Sequence, residues 1–285
     1  MPSVVDNAEL ALLLEVSGTP TPGNVDRERD LDELSYEHFL AGAVGAQDGF
    51  ATAVETNDFG SGFERAIAGM TDYTNTNTQF GAILLLMPLV QTASTGALTP
   101  SRANTTVEKA GVEGATGFYA AFDHVDVNIP DPPEDIPDAN KGSEAIDEIR
   151  SRGLTLVDVL EPSTDRNGIS YELLHGFSRT FMAADWLAET TQAQSLSKRT
   201  ATVHLQLLAE IPDTLVAVAH GEETAHQVKQ RAAELLPDSP GDTIDFASVR
   251  TFAGELTERQ INPGMTADLL AGGLFIALER GDINI

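Results

Sequence analysis

The sequence predicts an all-α fold, a single multi-helix bundle over residues 1–285 whose polar loops converge on one cleft. Two features of the chain favour this class. Apolar residues recur at three- and four-residue spacing through most of the sequence, which is the period of a helix with one buried face. Alternation of apolar and polar residues, which marks a half-buried strand, is nearly absent. Only VDVNI at 125–129 has the pattern of a short strand.

Helix signals are clearest in the first third of the chain. Ala8, Leu12 and Val16 lie on one face of a helix predicted over 4–16. Ser35 opens a second helix, because a hydroxyl side chain can cap the free amides of a first turn. Together with similar signals further on, these predict helices over 4–16, 36–54, from 57 or 61 to 69, 82–90, 101–109 and 117–122.

A long irregular segment is predicted over 123–141, which contains four prolines and six acidic residues. Loops of this length in a compact protein usually have a function or move. Helical spacing then resumes, and Pro212 ends one of the helices because proline cannot donate a backbone hydrogen bond. The predicted helices in this part cover 143–150, 155–160, 167–186, 195–211, 213–219, 222–236, 246–257 and 265–279.

The chain is strongly acidic, with a formal charge of −27 from 44 acidic and 17 basic residues. Its apolar content of 41% is too high for a disordered acidic protein, so the acid should form a solvated shell around an ordinary core. Such a shell is tolerable where salt screens the self-repulsion, and we expect a halophilic, archaeal source. An acidic surface also argues against nucleic acid and anionic membranes as partners.

Cysteine is absent, which excludes disulfides, thiolate metal ligands and thiol nucleophiles. The amino terminus, MPSVVDNAEL, lacks the basic start of an export signal. The longest apolar run, over 80–90, is too short to cross a bilayer. We therefore expect a soluble cytoplasmic protein.

Three polar segments carry the candidate chemistry. The first polar segment (residues 15–30) places two glycines and two prolines within six positions, ahead of amide, carboxylate and guanidinium side chains. Neither residue type suits a helix interior, so a shaped loop is predicted. The second polar segment (residues 75–81) is rich in Asn and Thr and leads into an apolar helix. The third polar segment (residues 261–270) contains a Pro-Gly turn with Asp268 in the helical turn behind it.

Each segment alone also has a purely structural interpretation. A salt-rich connector explains the first, and a capped helix start explains the second about as well as a phosphate or ribose site does. An acid in a first helical turn is favoured by the helix dipole, whereas a buried one suits metal coordination or activation of a hydroxyl. Elsewhere, Asp123, His124 and Asp126 fit an acidic loop better than a metal site, and the histidines share no ligand spacing.

Together the segments resemble the triphosphoribosyl-dephospho-CoA synthase family. The resemblance rests on five blocks that follow the family order and span nearly the whole chain. They are ExxxxPxPGNVDR (15–27), NTxxGA (77–82), DRNGISYELLHGF (165–177), PDTLVAVAHG (212–221) and NPGMTADLLAGGLFIALE (262–279), of which the third and fourth are weaker. Five ordered blocks are far more specific than any one of them.

The resemblance implies an all-helical enzyme that transfers the triphosphoribosyl group of ATP to the 2′-hydroxyl of dephospho-CoA and releases adenine. It implies catalytic roles for Glu15, Asp26 and Asp268, with Asp26 and Asp268 also as magnesium ligands. Magnesium is expected because a triphosphate among carboxylates needs a counter-charge. The implied substrate-binding residues are Asn24, Arg27, Asn75, Asn77, Thr78, Asn262, Asp165, Arg166 and Asp213.

One position departs from the family pattern. Lyase-type members carry His-Lys after Asn-Thr, whereas this chain has Gln79 and Phe80. That form resembles a divergent archaeal-type branch tied to pterin-cofactor synthesis. Two further hypotheses are therefore a related ribosyltransferase or hydrolase of pterin-cofactor synthesis, and a non-catalytic helical nucleotide-binding protein whose three segments lie apart. We expect nucleotides as small-molecule partners, and a homodimer formed through apolar helix faces.

Overall fold

The computed structural model describes residues 2–127, 135–190, 195–237, 243–283 and 285. These residues form α-helices joined by loops and short 3-10 turns, and their β contacts are two isolated bridges. The predicted all-α class is therefore confirmed, while the candidate strand over 125–129 lies partly outside the described residues. The helices are α1 (Val4–Ser17), α2 (Tyr36–Thr56), α3 (Phe59–Asp72), α4 (Phe80–Ser94), α5 (Pro100–Ala120), α6 (Ile146–Arg152), α7 (Leu156–Leu160), α8 (Gly168–Leu174), α9 (Ser178–Glu189), α10 (Leu196–Glu210), α11 (Thr214–His220), α12 (Glu222–Glu234), α13 (Phe246–Glu258) and α14 (Gly264–Arg280).

A glycine bends α5 between the two pieces that the sequence predicts. Gly111 has φ +57° and ψ −148°, outside the helical region, within one continuous element. A residue without a Cβ adopts such a backbone at little cost. The break at Gly111 therefore separates two helical arms of α5, in line with the two pieces predicted over 101–109 and 117–122, although the second arm begins before residue 117 and ends at Ala120.

The prediction of one helix over 167–186 was wrong. A reversal at 175–177, with Gly176 and Phe177 at positive φ, divides it into α8 and α9. The buried Glu172 carboxylate accepts two of the first backbone N–H groups of α9, at 3.0 and 2.9 Å. Those amides have no acceptor within their own helix, so this side chain supplies the cap that a new helix requires.

α4 lies at the centre of the bundle. Every residue from Ala82 to Thr92 is buried, which requires the apolar side chains that this stretch carries on all its faces. α1, α2, α3, α5, α8 and α14 pack around it. A loop that reaches the first turn of α4 therefore reaches the end of the main core. None of the helices in the described ranges combines the length and apolarity that a bilayer span requires.

A smaller apolar cluster joins α10, α11, α12 and α13. Leu205, Val216, Val228 and Phe252 are buried in it, one from each of these helices. Ile261, the first residue of the third polar segment, belongs to the same cluster. The cluster therefore fixes the point from which the third polar segment runs towards α14.

α2 and α3 contact each other backbone to backbone. A Cβ built on Gly45 would lie 2.0 Å from the carbonyl oxygen of Gly69, and one built on Gly49 would lie 2.3 Å from the amide nitrogen of Ala66. No side chain fits between the helices at either crossing. This contact holds the start of α2, which follows the first polar segment, against the helix that precedes the second.

Replacing Gly49 with alanine should destabilise the protein by about 1–3 kcal/mol, because the added Cβ has no space against α3. Gly254→Ala in α13 is the matched control, since a Cβ there meets no atom within 4 Å. In that open helical site alanine should stabilise by up to about 1 kcal/mol. Urea unfolding of both variants in one high-salt buffer measures the difference, and equal midpoints would contradict the close packing of α2 on α3.

Candidate active site

The Asp26 carboxylate holds the first polar segment in shape. Its Oδ2 accepts the backbone N–H of Thr21 at 3.0 Å, and its Oδ1 accepts that of Glu28 at 2.8 Å. Arg29 pairs with Oδ2 at 3.4 Å. A short acidic side chain thereby bonds the backbone on both sides of itself, which replaces the regular hydrogen bonding that the prolines prevent.

The first and third polar segments dock against each other. Gly23 has φ +78°, and a Cβ there would lie 2.4 Å from the carbonyl oxygen of Ile261. Asn24 Nδ2 donates to Asn262 Oδ1 at 2.9 Å. Asn24 Oδ1 lies 2.8 Å from Nε2 of His204, a fully buried side chain of α10. Two segments more than 200 residues apart thus share one hydrogen-bonded junction.

The second and third polar segments meet at the first turn of α4. A Cβ built on Gly81 would lie 2.1 Å from Oδ2 of Asp268, so only glycine leaves room for that carboxylate. Asp268 also accepts a backbone hydrogen bond from Ala82. Asn77 Oδ1 accepts the backbone N–H of Phe80 at 3.2 Å. Side chains therefore satisfy amides at the start of this helix that would otherwise lack partners.

Asp213 joins α11 to α14. Its Oδ1 accepts the backbone N–H groups of Leu215 at 2.9 Å and Val216 at 3.2 Å. Its Oδ2 accepts the N–H and the hydroxyl of Thr266, both at 2.8 Å. Burial raises the pKa of Asp213, and these hydrogen bonds act to lower it. Four donors occupy the lone pairs of the carboxylate, which fixes the turn that carries Asp268.

The carboxyl groups at this junction repel one another. Burial raises the pKa of Glu15 well above its usual range, and the charges of Asp268 and then Asp26 raise it further. Glu15 is 4% exposed at the end of α1. Burial also raises the pKa of the half-buried Asp268 well above its usual range, with a further contribution from Asp213. Within the described residues no hydrogen bond lowers the pKa of Glu15, so this carboxyl holds its proton strongly.

The three polar segments therefore come together around the start of α4. In the described part of the chain, no three His, Asp or Glu side chains are grouped to hold a metal ion. Two surface hollows, of about 240 and 730 Å³, lie elsewhere. The smaller hollow is lined by side chains within residues 104–108, 157–164 and 173–175. None of the three polar segments lines either hollow. The contacts of the segments, rather than a large hollow, define the candidate site.

A sequence-family model described as ATP:dephospho-CoA triphosphoribosyl transferase matches residues 1–284. The chain belongs to this family. The predicted family is confirmed, and with it triphosphoribosyl transfer from ATP to dephospho-CoA as the family's reaction. Family membership decides against the non-catalytic hypothesis, and the contacts between the segments also differ from its expectation that they lie apart.

A solved structure is similar to this transferase. It comes from Archaeoglobus fulgidus and is provisionally assigned as a triphosphoribosyl-dephospho-CoA synthase. The two chains are 25% identical, the match covers 86% of this chain and 99% of the other, and the TM-score is 0.68. No curated protein sequence matches the chain.

The two residues that depart from the family pattern point into the core of the transferase. Gln79 is buried, and its Nε2 donates to the carbonyl of Leu12 in α1 at 3.4 Å. Phe80 packs edge-on against Phe63, with 5.3 Å between ring centroids. The hydroxyl of Thr78 is buried and has no hydrogen-bond partner in the described part of the chain. The second polar segment thus supplies no cation for a phosphate.

Several predicted binding residues lie at the surface of the transferase. Arg27 is exposed, and its guanidinium donates to the hydroxyl of Ser197 on α10 at 2.7 Å. Asn75 is exposed and has a left-handed conformation in the turn that follows α3. Asp165 and Arg166 are exposed just before α8, and within the described residues they form no ion pair. No hydrogen bond joins Asn75, Asp165 or Arg166 to the site carboxylates.

Sequence reasoning assigned no role to His204 and did not consider Ser197. His204 contacts Asn24, and Ser197 Oγ accepts from both Arg27 and the backbone of Thr19. One signal was available for the histidine, because α10 is apolar around it and a polar side chain buried there requires a partner. No pattern in the sequence identifies that partner, which lies 180 residues away.

The stability of the protein should depend on pH through Glu15. The pKa of Glu15 is higher in the folded protein than in the unfolded chain, where it is 4.5. The contribution of Glu15 to the free energy of unfolding is therefore fully present below pH 4.5 and is lost as the pH rises through the folded pKa. Glu15→Gln stays neutral, so its melting temperature should exceed that of the wild type at about pH 8 and approach it at about pH 5. Glu55→Gln, an exposed change in α2, is the control and should follow the wild type. A Glu15→Gln effect independent of pH would refute the assignment.

Proposed function

We propose that the carboxylates and amides around the start of α4 form the active site for triphosphoribosyl transfer from ATP to dephospho-CoA. The observation that carries this proposal is the convergence of three distant segments on Glu15 and Asp268, two carboxyl groups with raised pKa. Groups with such perturbed pKa values concentrate at catalytic sites. Membership of the transferase family supplies the reaction.

The reaction makes one bond and breaks one bond at the anomeric carbon of ATP. The 2′-hydroxyl oxygen of dephospho-CoA bonds to C1′ of the ribose while the C1′–N9 bond breaks. The electron pair of that bond leaves with adenine, which takes up a proton, and the hydroxyl loses its proton to a base. An acid and a base are therefore both required, as in other glycosyl transfers through an oxocarbenium-like centre.

Glu15 and Asp268 differ in a way that suits these two roles. Asp268 is half-buried and accepts from the Ala82 amide, which stabilises its ionised form, so we assign it as the base. Glu15 has no such donor and the least favourable surroundings for a charge, so it keeps a proton to give to adenine. Asp26 and Asp213 have their oxygens engaged by backbone donors and act as positioning residues.

Substrate oxygens are bound by the groups that retain free donors. Arg27 is exposed at the edge of the site and suits a bidentate contact with phosphate. The side-chain amides of Asn77 and Asn262 lie near the carboxylates and suit ribose and phosphate oxygens. The NH₂ group of Asn24 already donates to Asn262 and to the Pro263 carbonyl, so Asn24 positions Asn262. The acceptor could also be a pterin precursor, and the assay below separates the two.

Magnesium fits this site as a part of the ATP substrate. Asp26 is already bonded on both oxygens, and the described carboxylates do not form a three-residue ligand group. A triphosphate arrives with the ion bound to its own oxygens, and Asp268 can contact it there. The ion then supplies the positive charge that the second polar segment lacks.

The transferase incubated with ATP, magnesium and dephospho-CoA in molar salt should release adenine in proportion to the product formed. Asp268→Asn should lower kcat by about 10²–10⁴-fold, which is the usual loss when a general base is removed. Asp147→Asn, an exposed change in α6, is the control and should retain activity. Adenine release with a pterin but not with dephospho-CoA would favour the pterin hypothesis, and full activity of Asp268→Asn would remove the assigned base.

We also propose that the protein is adapted to a salt-rich cytoplasm, because it has 44 acidic and only 17 basic residues. As salt is added, the melting temperature should rise steeply at first and then level off. The reason is that the Debye length falls from about 10 Å at 0.1 M to about 3 Å at 1 M salt. Thermal unfolding across a potassium chloride series measures this. A melting temperature that does not change with salt would contradict the adaptation.

A further inference from the structure

The junction of the first and third polar segments contains a chain of three hydrogen-bonded side chains. His204 Nε2 lies 2.8 Å from Asn24 Oδ1, and Asn24 Nδ2 lies 2.9 Å from Asn262 Oδ1. Asn24 Nδ2 also lies 3.4 Å from the carbonyl oxygen of Pro263. This series of hydrogen bonds runs from α10 through the first polar segment to Asn262, two residues before α14.

The direction of donation along this chain is determined by the Pro263 carbonyl. A carbonyl oxygen can only accept, so the amide nitrogen of Asn24 must face it. Asn24 Oδ1 must then face His204, and His204 must donate from Nε2. The same nitrogen of Asn24 donates to Asn262, so the carbonyl oxygen of Asn262 is the engaged end of that side chain. Its NH₂ group is the free end.

The surroundings of His204 keep it as a single donor. The side chain is fully buried, and its Nδ1 has no hydrogen-bond partner among the residues that the structure describes. Burial lowers its pKa to about 3, so the ring is neutral and carries one N–H. That proton lies on Nε2, where Asn24 accepts it. A neutral ring with one fixed tautomer holds the orientation of its partner over the whole physiological pH range.

We propose that His204 is a positioning residue that fixes Asn24 and thereby presents the Asn262 NH₂ group as a donor to an anionic oxygen of the substrate. The inference rests on the proposed active site and identifies the phosphate chain as the group recognised. Asn262 is half-buried and lies six residues before Asp268, and among the described residues its NH₂ group has no hydrogen-bond partner, which leaves it available to a ligand. The chain also prevents the reversed amide, which would point an oxygen at the phosphate.

A histidine placed only for packing would give a different result on substitution, which makes the inference testable. His204→Phe keeps the ring and removes the donor, while His204→Gln places an amide nitrogen near the position of Nε2. Titration calorimetry in molar salt with magnesium–ATP, and with inorganic triphosphate, measures the affinity of each. His204→Phe should lower the affinity for both ligands by about tenfold or more, which is the usual effect of losing one hydrogen bond to a charged group. His204→Gln should restore most of that affinity.

Asn262→Ala gives a test that does not depend on the buried ring. It removes the proposed donor itself and should weaken inorganic triphosphate by about the same factor, on the same grounds. His226→Phe, an exposed change in α12, is the control and should bind as the wild type does. Unchanged affinity in Asn262→Ala, or equal losses in His204→Phe and His204→Gln, would overturn the inference.

Adenine release separates this inference from the proposed function. If the wild-type protein binds triphosphate but releases no adenine, the proposed function is wrong. The affinities of the His204 and Asn262 variants for triphosphate then decide whether the hydrogen-bonded side chains bind it. A protein that releases adenine, with an unaltered KM for ATP in Asn262→Ala, would keep the reaction and remove the donor chain. A protein that binds neither ligand would overturn both.

Discussion

The packing of the Asp268 carboxylate against Gly81 is the constraint on which the arrangement of the site depends. A side chain at position 81 would occupy the space of an Asp268 oxygen, since a Cβ there lies 2.1 Å from it. α4 is buried on every face, so its first turn cannot move without disturbing the core. The position of Asp268 is thus set by the core, and the first and third polar segments are arranged around it through Asn24, Asn262 and Asp213.

Burying several carboxyl groups close together lowers the stability of the fold. The hydrogen bonds that offset this loss are unequally shared among the four groups. Asp26 and Asp213 receive backbone hydrogen bonds on both oxygens, which occupy the acceptor sites of the two carboxylates. Asp268 receives one from Ala82, and Glu15 receives none within the described residues. Burial raises the pKa of Asp213 as well, but the pKa values of Glu15 and Asp268 are raised well above their usual range, and these two are the groups that the fold leaves least compensated. Groups with perturbed pKa values concentrate at catalytic sites, and the proposed function accordingly gives the reactive roles to Glu15 and Asp268 and positioning roles to Asp26 and Asp213.

The sequence predicts the fold class and the three segments because both depend on local rules. Helical spacing gives the all-α class, and the glycines and prolines of residues 18–23 give a shaped loop. The division between α8 and α9 could not be predicted, because it depends on Glu172 capping from a buried position. The role of His204 depends on a partner 180 residues away. Among 44 acidic residues, no local pattern separates Glu15 from those of the surface.

The placement of Gln79 and Phe80 in the core bears on how this site recognises an anion. Without a cation from the second polar segment, the donors near the carboxylates are mainly amides, with Arg27 at the edge. Salt weakens attraction between exposed charges, because the Debye length is only about 3 Å at 1 M. A hydrogen bond from a positioned amide acts at contact distance and is screened much less. An amide-based site therefore suits the adaptation to concentrated salt that we propose, because salt that screens the acidic surface leaves this form of recognition largely intact.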